Sequence, residues 1–377
     1  MQAFSNISTR IYKGFMMRNR IAVILSFLVL STGAFASKAR LEALGQDAGG
    51  SMFIDDARDV ILNPAMLNFH KDFATFEWGN TTQVDDTATT PRSEGGLFKT
   101  AGNMIYGFYF GEESDDINSL RGNAGVNTEE NNTSFYVGGD AGIQWGTKFT
   151  YNSFKDKQDN NDEESDVLRA TLGIISGDVE SFFKMGFTNS AKNVSNKLEV
   201  KTDFDLGITY NVGNRDYMVQ VKSVSAEDAV AAEYTTQYVA FGSARTMKLN
   251  DKATIWTSAW YKMITTNNDI DATGESKSSS IPLSIALEVA AKDWLTLRGS
   301  VTSNLYGLSE NDAGDEATIP DTTIVVAGAS LTWDDLSIDG TIGNNSATTT
   351  TGVSTATGNG TLRTDTLMSR VSMTYKF

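Results

Sequence analysis

The sequence predicts an all-β protein, a transmembrane antiparallel β-barrel of about 14 strands (12–16) with an N-terminal plug or cap segment. Three observations lead there. Apolar residues recur at every second position in many short stretches, the period of a strand with one apolar and one polar face. The links between these stretches alternate between tight turns and long polar segments, as in barrels that cross a membrane. The chain also opens with an export-type leader.

The leader comes first. Residues 16–36 read MMRNRIAVILSFLVLSTGAFA, with Arg18 and Arg20, an apolar run from Ile21 to Leu30, and then Ala34-Phe35-Ala36. Charge, apolar run and small residues in that order make a cleaved signal peptide, with Ala34 and Ala36 at the cleavage site and Ser37 as the first mature residue. The run falls far short of the roughly 20 apolar residues of a spanning helix. Residues 1–15 read as an upstream extension, so 1–36 stand apart from the folded chain. Cleavage removes four basic residues and no acids, moving the formal charge from −16 to −20. Nucleic-acid binders carry basic patches, so this acidity excludes that partner. With no Cys in the chain, an exported fold has no disulfides and needs another restraint. A closed, hydrogen-bonded sheet supplies one.

Residues 37–72 form the plug or periplasmic segment, where Met52, Phe53, Ile54, Val60, Ile61 and Leu62 need burial. Residues 73–377 form the barrel. Its period-two stretches lie at 74–78, 103–110, 143–151, 167–175, 181–187, 204–210, 217–222, 238–244, 253–263, 281–289, 294–301, 323–333, 336–342 and 370–377. Tight turns fall around Ser176-Gly177-Asp178, Asn211–Asn214, Asn250-Asp251, Lys292-Asp293 and Asp334-Asp335. Long polar links fall at 155–166, 265–280, 309–323 and 344–360. The region 111–141 breaks the alternation, being too long for a turn, and reads as a further strand pair or an inward-folded segment. The last stretch, RVSMTYKF, sets Val371, Met373, Tyr375 and Phe377 on one face against Arg370, Ser372, Thr374 and Lys376 on the other. Mean hydropathy is below zero, but in a transmembrane barrel only alternate residues meet lipid.

Charge placement points to the interior. If the apolar faces meet lipid, the inward set includes Glu77, Lys148, Arg169, Lys184, Asp203, Asp205, Lys222, Lys262, Glu288, Arg298, Asp339 and Arg370. Ionisable residues on the lipid face cost a few kcal/mol near the midplane. A wall this charged holds water and lines a pore, each charge also being eligible for a structural salt bridge. Enzyme readings fare badly: the single His, His70, precedes the first strand, and there is no Cys nucleophile. No phosphate loop, zinc spacing or dinucleotide motif appears, and no metal or cofactor is expected beyond weak Ca²⁺ in acidic external loops such as 267–271 and 310–316.

The leader, the loop alternation and the terminal VSMTYKF together resemble Gram-negative outer-membrane porins. That resemblance covers the whole mature chain. It implies placement in the cell outer membrane among lipid and lipopolysaccharide, a terminal strand (Val371, Met373, Tyr375, Phe377) read by the barrel-assembly machinery, and a homotrimer. The overall look also resembles major outer-membrane proteins of predatory deltaproteobacteria. The stretch DDARDVILNPAML, with Asp55, Asp56, Asn63, Pro64 and Ala65, is similar to the amino-terminal segment of the long-chain fatty-acid transporter family, where it folds into the barrel as a hatch. The expected function is porin-like passive diffusion of small hydrophilic solutes. The alternatives are a plugged barrel for hydrophobic compounds and a structural or adhesive surface barrel.

Overall fold

In the computed structural model the alternating stretches are strands, and their ladders close on themselves. The structure describes residues 37–79, 92–129, 131–158, 161–230, 232–269, 274–319, 323–344 and 370–377. The leader with Ala34 and Ala36, and most of the 344–360 link, lie outside the described residues. In chain order the strands are β1 (Phe73–Gly79), β2 (Arg92–Ala101), β3 (Met104–Phe110), β4 (Thr133–Asp140), β5 (Gln144–Gln158) and β6 (Asn161–Ser176). They continue with β7 (Val179–Lys192), β8 (Lys197–Val212), β9 (Arg215–Asp228), β10 (Glu233–Asn250), β11 (Ala253–Asn268) and β12 (Gly274–Lys292). The last are β13 (Leu295–Asn311), β14 (Glu316–Thr318), β15 (Thr323–Trp333), β16 (Leu336–Asn344) and β17 (Arg370–Lys376).

Consecutive strands pair antiparallel, except that β13 passes directly to β15 while β14 adds three residues beside the end of β13. The ring closes where β17 meets β1, from Phe73↔Lys376 to Gly79↔Arg370. Sixteen strands therefore form a closed all-β antiparallel barrel, and the seventeenth lies outside the ring. Closure removes every sheet edge. Phe377 extends the seam by donating its backbone N–H to the Asp72 carbonyl at 3.1 Å. Among the described residues no helix is long and apolar enough to cross a membrane.

The expected count of about 14 falls short by two strands, β2 and β4. Both carry adjacent glycines, Gly95-Gly96 and Gly138-Gly139, which blank out the apolar signal while leaving the ladder intact. With them in place every second connection, starting from β2–β3, is a turn of two or three residues, and the region 111–141 resolves into a long link, β4 and a short turn. The polar stretches 155–166 and 265–280 are also mostly strand, because β5, β6, β11 and β12 continue beyond their apolar portions. Hydropathy marks the part of a strand that needs an apolar partner, whereas the hydrogen-bonded ladder runs on through polar residues.

One rim carries the tight turns, including two-residue hairpins at Gly177-Asp178 and Gly213-Asn214 whose glycines sit at φ 60° and 66°. Glycine takes that left-handed region without the Cβ clash that twist-matched hairpins impose on other residues. Burial is inverted relative to a globular core. Outward residues such as Phe76, Phe135, Phe149, Phe183, Phe241 and Ile285 are exposed, while Glu77, Asp205, Arg298, Asp339 and Thr341 are buried. Tyr210, Tyr217, Trp294, Trp333 and Tyr375 are exposed near the tight-turn rim.

The interior is occupied from residue 37 onward. Helix α1 (Lys38–Ala43), helix α2 (Asp59–Leu62) and a 3₁₀ turn (Pro64–Asn68) pack against inward side chains on opposite sides of the ring. A third helix, α3 (Asp115–Asn123), lies in the link between β3 and β4 and buries Ile117 and Leu120 against Ala191, Leu198, Val224 and Ala226.

Candidate functional site

The lumen is built from charges on the wall meeting charges on the N-terminal segment. Helix α1 starts at Ser37, whose hydroxyl accepts the Arg40 N–H at 2.9 Å as an N-cap. Its charged residues are held by the wall. Lys38 reaches Glu94 at 2.7 Å, Arg40 reaches Glu288 at 3.1 Å, and Glu42 accepts from Thr341 at 3.1 Å beside Arg370 at 3.3 Å. Arg40 also reaches back to Asp56 at 2.6 Å, and Arg298 joins the same network through Glu288 and through Asp339 at 2.8 Å.

The next turn is tied by its own polar groups. The Ser51 hydroxyl accepts the N–H groups of Phe53 and Ile54, each at 3.0 Å. Asp59 accepts from the backbone of Ser51 at 2.7 Å and of Asp56 at 2.8 Å. Arg58 is thereby aimed at the wall, meeting Glu94 at 2.6 Å, Glu77 at 3.1 Å and the Tyr109 hydroxyl at 2.6 Å. Burial raises the Asp56 carboxyl to about 6 in spite of the adjacent Arg40 guanidinium. Burial, reinforced by the Asp56 charge, holds Asp59 well above the usual carboxylate range. Asp55 is exposed, and its carbonyl accepts from Arg40 at 3.1 Å.

Asn63, Pro64 and Ala65 lie against glycines of the wall. The Asn63 side chain accepts the Ala65 N–H at 3.1 Å, and Pro64 opens the 3₁₀ turn without needing a donor. Opposite them, Gly146 on β5 and Gly173 on β6 are register partners. A Cβ at Gly146 would stand 2.1 Å from the Pro64 carbonyl oxygen, and one at Gly173 would stand 2.0 Å from Asn63 Oδ1. Only glycine permits this approach. Lys148 closes the contact, donating to the Ile61 carbonyl at 2.7 Å and to Glu112 at 2.6 Å.

The α3 link makes a second tie to the wall. Glu129 is fully buried between Arg169, Asn132 and Asn189, while Arg121 donates to Ser165 and Asn189, each at 2.8 Å. The guanidiniums of Arg169 and Arg121 hold Glu129 below the usual carboxylate range against burial, which works in the opposite direction. Lys148 does the same for Glu112.

The remaining inward charges face a less crowded wall. Asp203 is buried beside Lys184 at 3.3 Å, and Asp205 accepts twice from Gln220, at 2.9 and 3.1 Å. Lys222 lies 3.8 Å from both Asp205 and Asp116. Lys262 lies 4.2 Å over the Trp260 ring. Of the twelve charges expected inward, Glu77, Lys148, Arg169, Glu288 and Arg370 meet the N-terminal segment or the α3 link directly, Arg298 and Asp339 join through Glu288, and the five on β7–β11 are more loosely held, Lys222 lying between Asp205 and Asp116 of α3. In β17, Arg370, Ser372 and Thr374 are buried, Met373 and Tyr375 are exposed, and Val371 is buried opposite Trp78. His70 is half-buried at the end of the N-terminal segment, its backbone N–H bonded to Met66. The acidic stretch 310–316 closes a turn through Asn311 and Asp315. Residues 270 and 271 of the other acidic loop lie outside the described residues, and no metal-binding cluster of His, Cys, Asp and Glu occurs among those described.

Sequence reasoning missed Glu94, Arg40, Arg58, Glu42, Glu112 and Glu129. The signal was available in KARLEAL (38–44), where three charges alternate with apolar residues in a stretch that needs burial. Buried charges demand partners.

No protein-family model matches the chain, and no curated protein does. Among solved structures it is similar to an anion-selective porin from Comamonas acidovorans, at 11% identity and a TM-score of 0.39, over 81% of this chain and 97% of that one. It is similar to the CymD monoaromatic hydrocarbon channel, at 12% identity and 0.39, over 92% and 98%. It is also similar to a loop L8 deletion mutant of OmpT, an outer membrane protein of Vibrio cholerae, at 14% identity and 0.40, over 70% and 98%. Likenesses this distant do not bear on cargo, and barrel closure rests on the ladders of the chain itself.

Proposed function

We propose that this protein is an outer-membrane channel for passive diffusion of small hydrophilic solutes, in which residues 37–72 act as a plug. The observation that supports this reading is the inversion of burial around a closed ring, with aromatic and aliphatic side chains outward and carboxylates and guanidiniums inward. An outward apolar band flanked by aromatic residues suits lipid, and a polar interior of sixteen strands suits water. Besides its apolar contacts, the plug is held by hydrogen-bonded ion pairs, interactions that water can replace when the segment moves. The wall charges Glu77, Lys148, Arg169, Glu288, Arg298, Asp339 and Arg370 then anchor the plug or the α3 link. Lys184, Asp203, Asp205, Lys222 and Lys262 line the passage. The apolar interior surface is taken up by the segment itself, through Val60, Ile61, Met66 and Leu67 on one side and Leu44, Phe53 and Ile54 on the other. This disfavours a hydrophobic conduit. On this reading the partners are membrane lipid, lipopolysaccharide and the assembly machinery that reads β17 and Phe377, and native mass in detergent tests for a homotrimer.

Planar-bilayer recording tests the proposal. The refolded protein should give stepwise conductance in KCl, and removing residues 37–70 should raise it severalfold. A folded barrel that conducts in neither form, yet binds a long-chain amphiphile, would establish the hydrophobic-transport alternative. One that does neither would leave a structural or adhesive barrel.

A further inference from the structure

We infer that the half-open wall beside the plug is a subsite for small solutes carrying a carboxylate on a flat apolar body. This rests on the channel reading and names the solutes that its passage would favour.

The inward cations fall into two groups. Arg40, Arg58 and Lys148 each have a carboxylate oxygen at 2.6 Å, and Arg298 has one at 2.8 Å. Lys222, by contrast, has its two carboxylates at 3.8 Å, beyond hydrogen-bonding distance. Lys262 has no ion pair among the described residues and only the Trp260 ring beneath it. A third donor is also idle: the Trp260 indole nitrogen is buried and makes no hydrogen bond, although buried indole N–H groups normally find a partner.

The ladders place these donors together. Lys222 faces Tyr238 across β9 and β10, and Lys262 faces Ala240 across β10 and β11. The two lysines thus flank β10, two residues apart along it, with Cα atoms about 12 Å apart from ordinary strand spacing. Side chains of that length span the gap, so both ammonium groups can meet one anion. The apolar support is present as well. Trp260 stacks on Phe53 of the plug at 5.3 Å, and Tyr238 and Trp256 pack in the same cluster.

Formal charge does not favour an anion here, because Asp47, Asp116, Asp203 and Asp205 lie near Lys184, Lys222 and Lys262. Hydrogen-bond capacity decides instead. Asp205 already accepts twice from Gln220, and the Asp203 charge is matched by Lys184 at 3.3 Å although its buried oxygens make no hydrogen bond, whereas the ammonium groups of Lys222 and Lys262 have no carboxylate within hydrogen-bonding distance among the described residues. The exposed Asp47, whose charge acts on both lysines, competes for the same donors.

Calorimetric titration of the full refolded protein in detergent, with sodium benzoate, benzyl alcohol and benzylammonium chloride as probes, tests the subsite. Benzoate should saturate, and the other two should not. Lys262→Gln should weaken benzoate about tenfold, the loss expected for a charge-assisted hydrogen bond, and Lys262→Arg should retain it. Trp260→Phe should weaken it by a smaller factor, and Asp47→Asn should tighten it. Retained heat-modifiable migration in gels certifies each variant as folded. Unsaturable benzoate, affinity unchanged in the Lys222→Gln/Lys262→Gln double variant, or tighter binding of benzylammonium would each overturn the inference. A protein that conducts but does not bind benzoate overturns the subsite alone. One that binds without conducting overturns the channel reading alone.

Discussion

Replacing Arg58 with Met should release the plug without dismantling the barrel. The Arg58 guanidinium joins Glu94 at 2.6 Å, Glu77 at 3.1 Å and the Tyr109 hydroxyl at 2.6 Å, and its Nε donates to the Ala48 carbonyl at 3.0 Å. Removing one partner from a buried ion pair costs about 3–5 kcal/mol, because the remaining charge is left uncompensated. Glu94 keeps Lys38 at 2.7 Å, and Glu77 keeps the Lys38 backbone N–H at 2.9 Å. The lower end of the range therefore applies. About 3 kcal/mol shifts the docking equilibrium by more than a hundredfold. Bilayer recording should show a higher open probability, and limited proteolysis should cut residues 37–70 faster while β1–β17 stay resistant. In a Glu77→Gln/Glu94→Gln background the same substitution should have much less effect, since the charges that made it costly are gone. Equal proteolysis and equal conductance in Arg58→Met and wild type would refute the claim that ion pairs hold the plug.

Gly146→Ala should also undock the plug, since its Cβ would lie 2.1 Å from the Pro64 carbonyl oxygen; faster cleavage within residues 60–68 is the readout, and unchanged protection would contradict it. Acidification should act in two opposite steps. Asp56, raised to about 6 by burial, and Asp59, held by burial well above the usual carboxylate range, bind protons more tightly docked than released, so docking should strengthen and conductance fall as pH drops from 7 towards 5. Glu112 and Glu129 are depressed below the ordinary carboxylate range, so their contribution is present above about pH 4. It is lost below that, where hydrogen exchange in residues 112–129 should accelerate. Lys262→Glu should shift the reversal potential towards cations, by reversing a charge in a narrow low-dielectric wall, and less so at high salt. Arg298→Glu should instead destabilise the barrel, because Arg298 is buried between Glu288 and Asp339. Mass spectrometry of exported protein should find Ser37 at the amino terminus.

The barrel was legible wherever one strand face was apolar and the other polar. That condition sufficed for fourteen strands, including the β17 seam with β1. It failed at β2 and β4, whose paired glycines carry no face, and at the polar ends of β5, β6, β11 and β12, where backbone hydrogen bonds alone extend the ladder. Parity picked out charges such as Lys184 and Asp205, which alternate with exposed apolar residues such as Phe183, Met185 and Leu206. Their partners were not legible. Pairing Arg58 with Glu94 or Lys148 with Glu112 depends on how an irregular segment crosses the lumen, and no periodicity encodes that path. Nothing in the sequence sets Gly146 and Gly173 apart from other strand glycines; their role follows from Asn63 and Pro64 lying against them.

The most direct test of the account is to tether the plug and record conductance. The chain has no native Cys, so Ala43→Cys with Gly328→Cys gives one defined pair. A Cβ at Gly328 would stand 2.6 Å from the Ala43 Cβ, about an ångström inside the usual disulfide separation, so helix α1 must give by that amount. With the bond verified by mass spectrometry, oxidised protein should show only a small steady conductance, and reduction should restore large steps. Large steps of equal size and frequency in the oxidised and reduced protein would contradict the claim that passage depends on displacing the N-terminal segment.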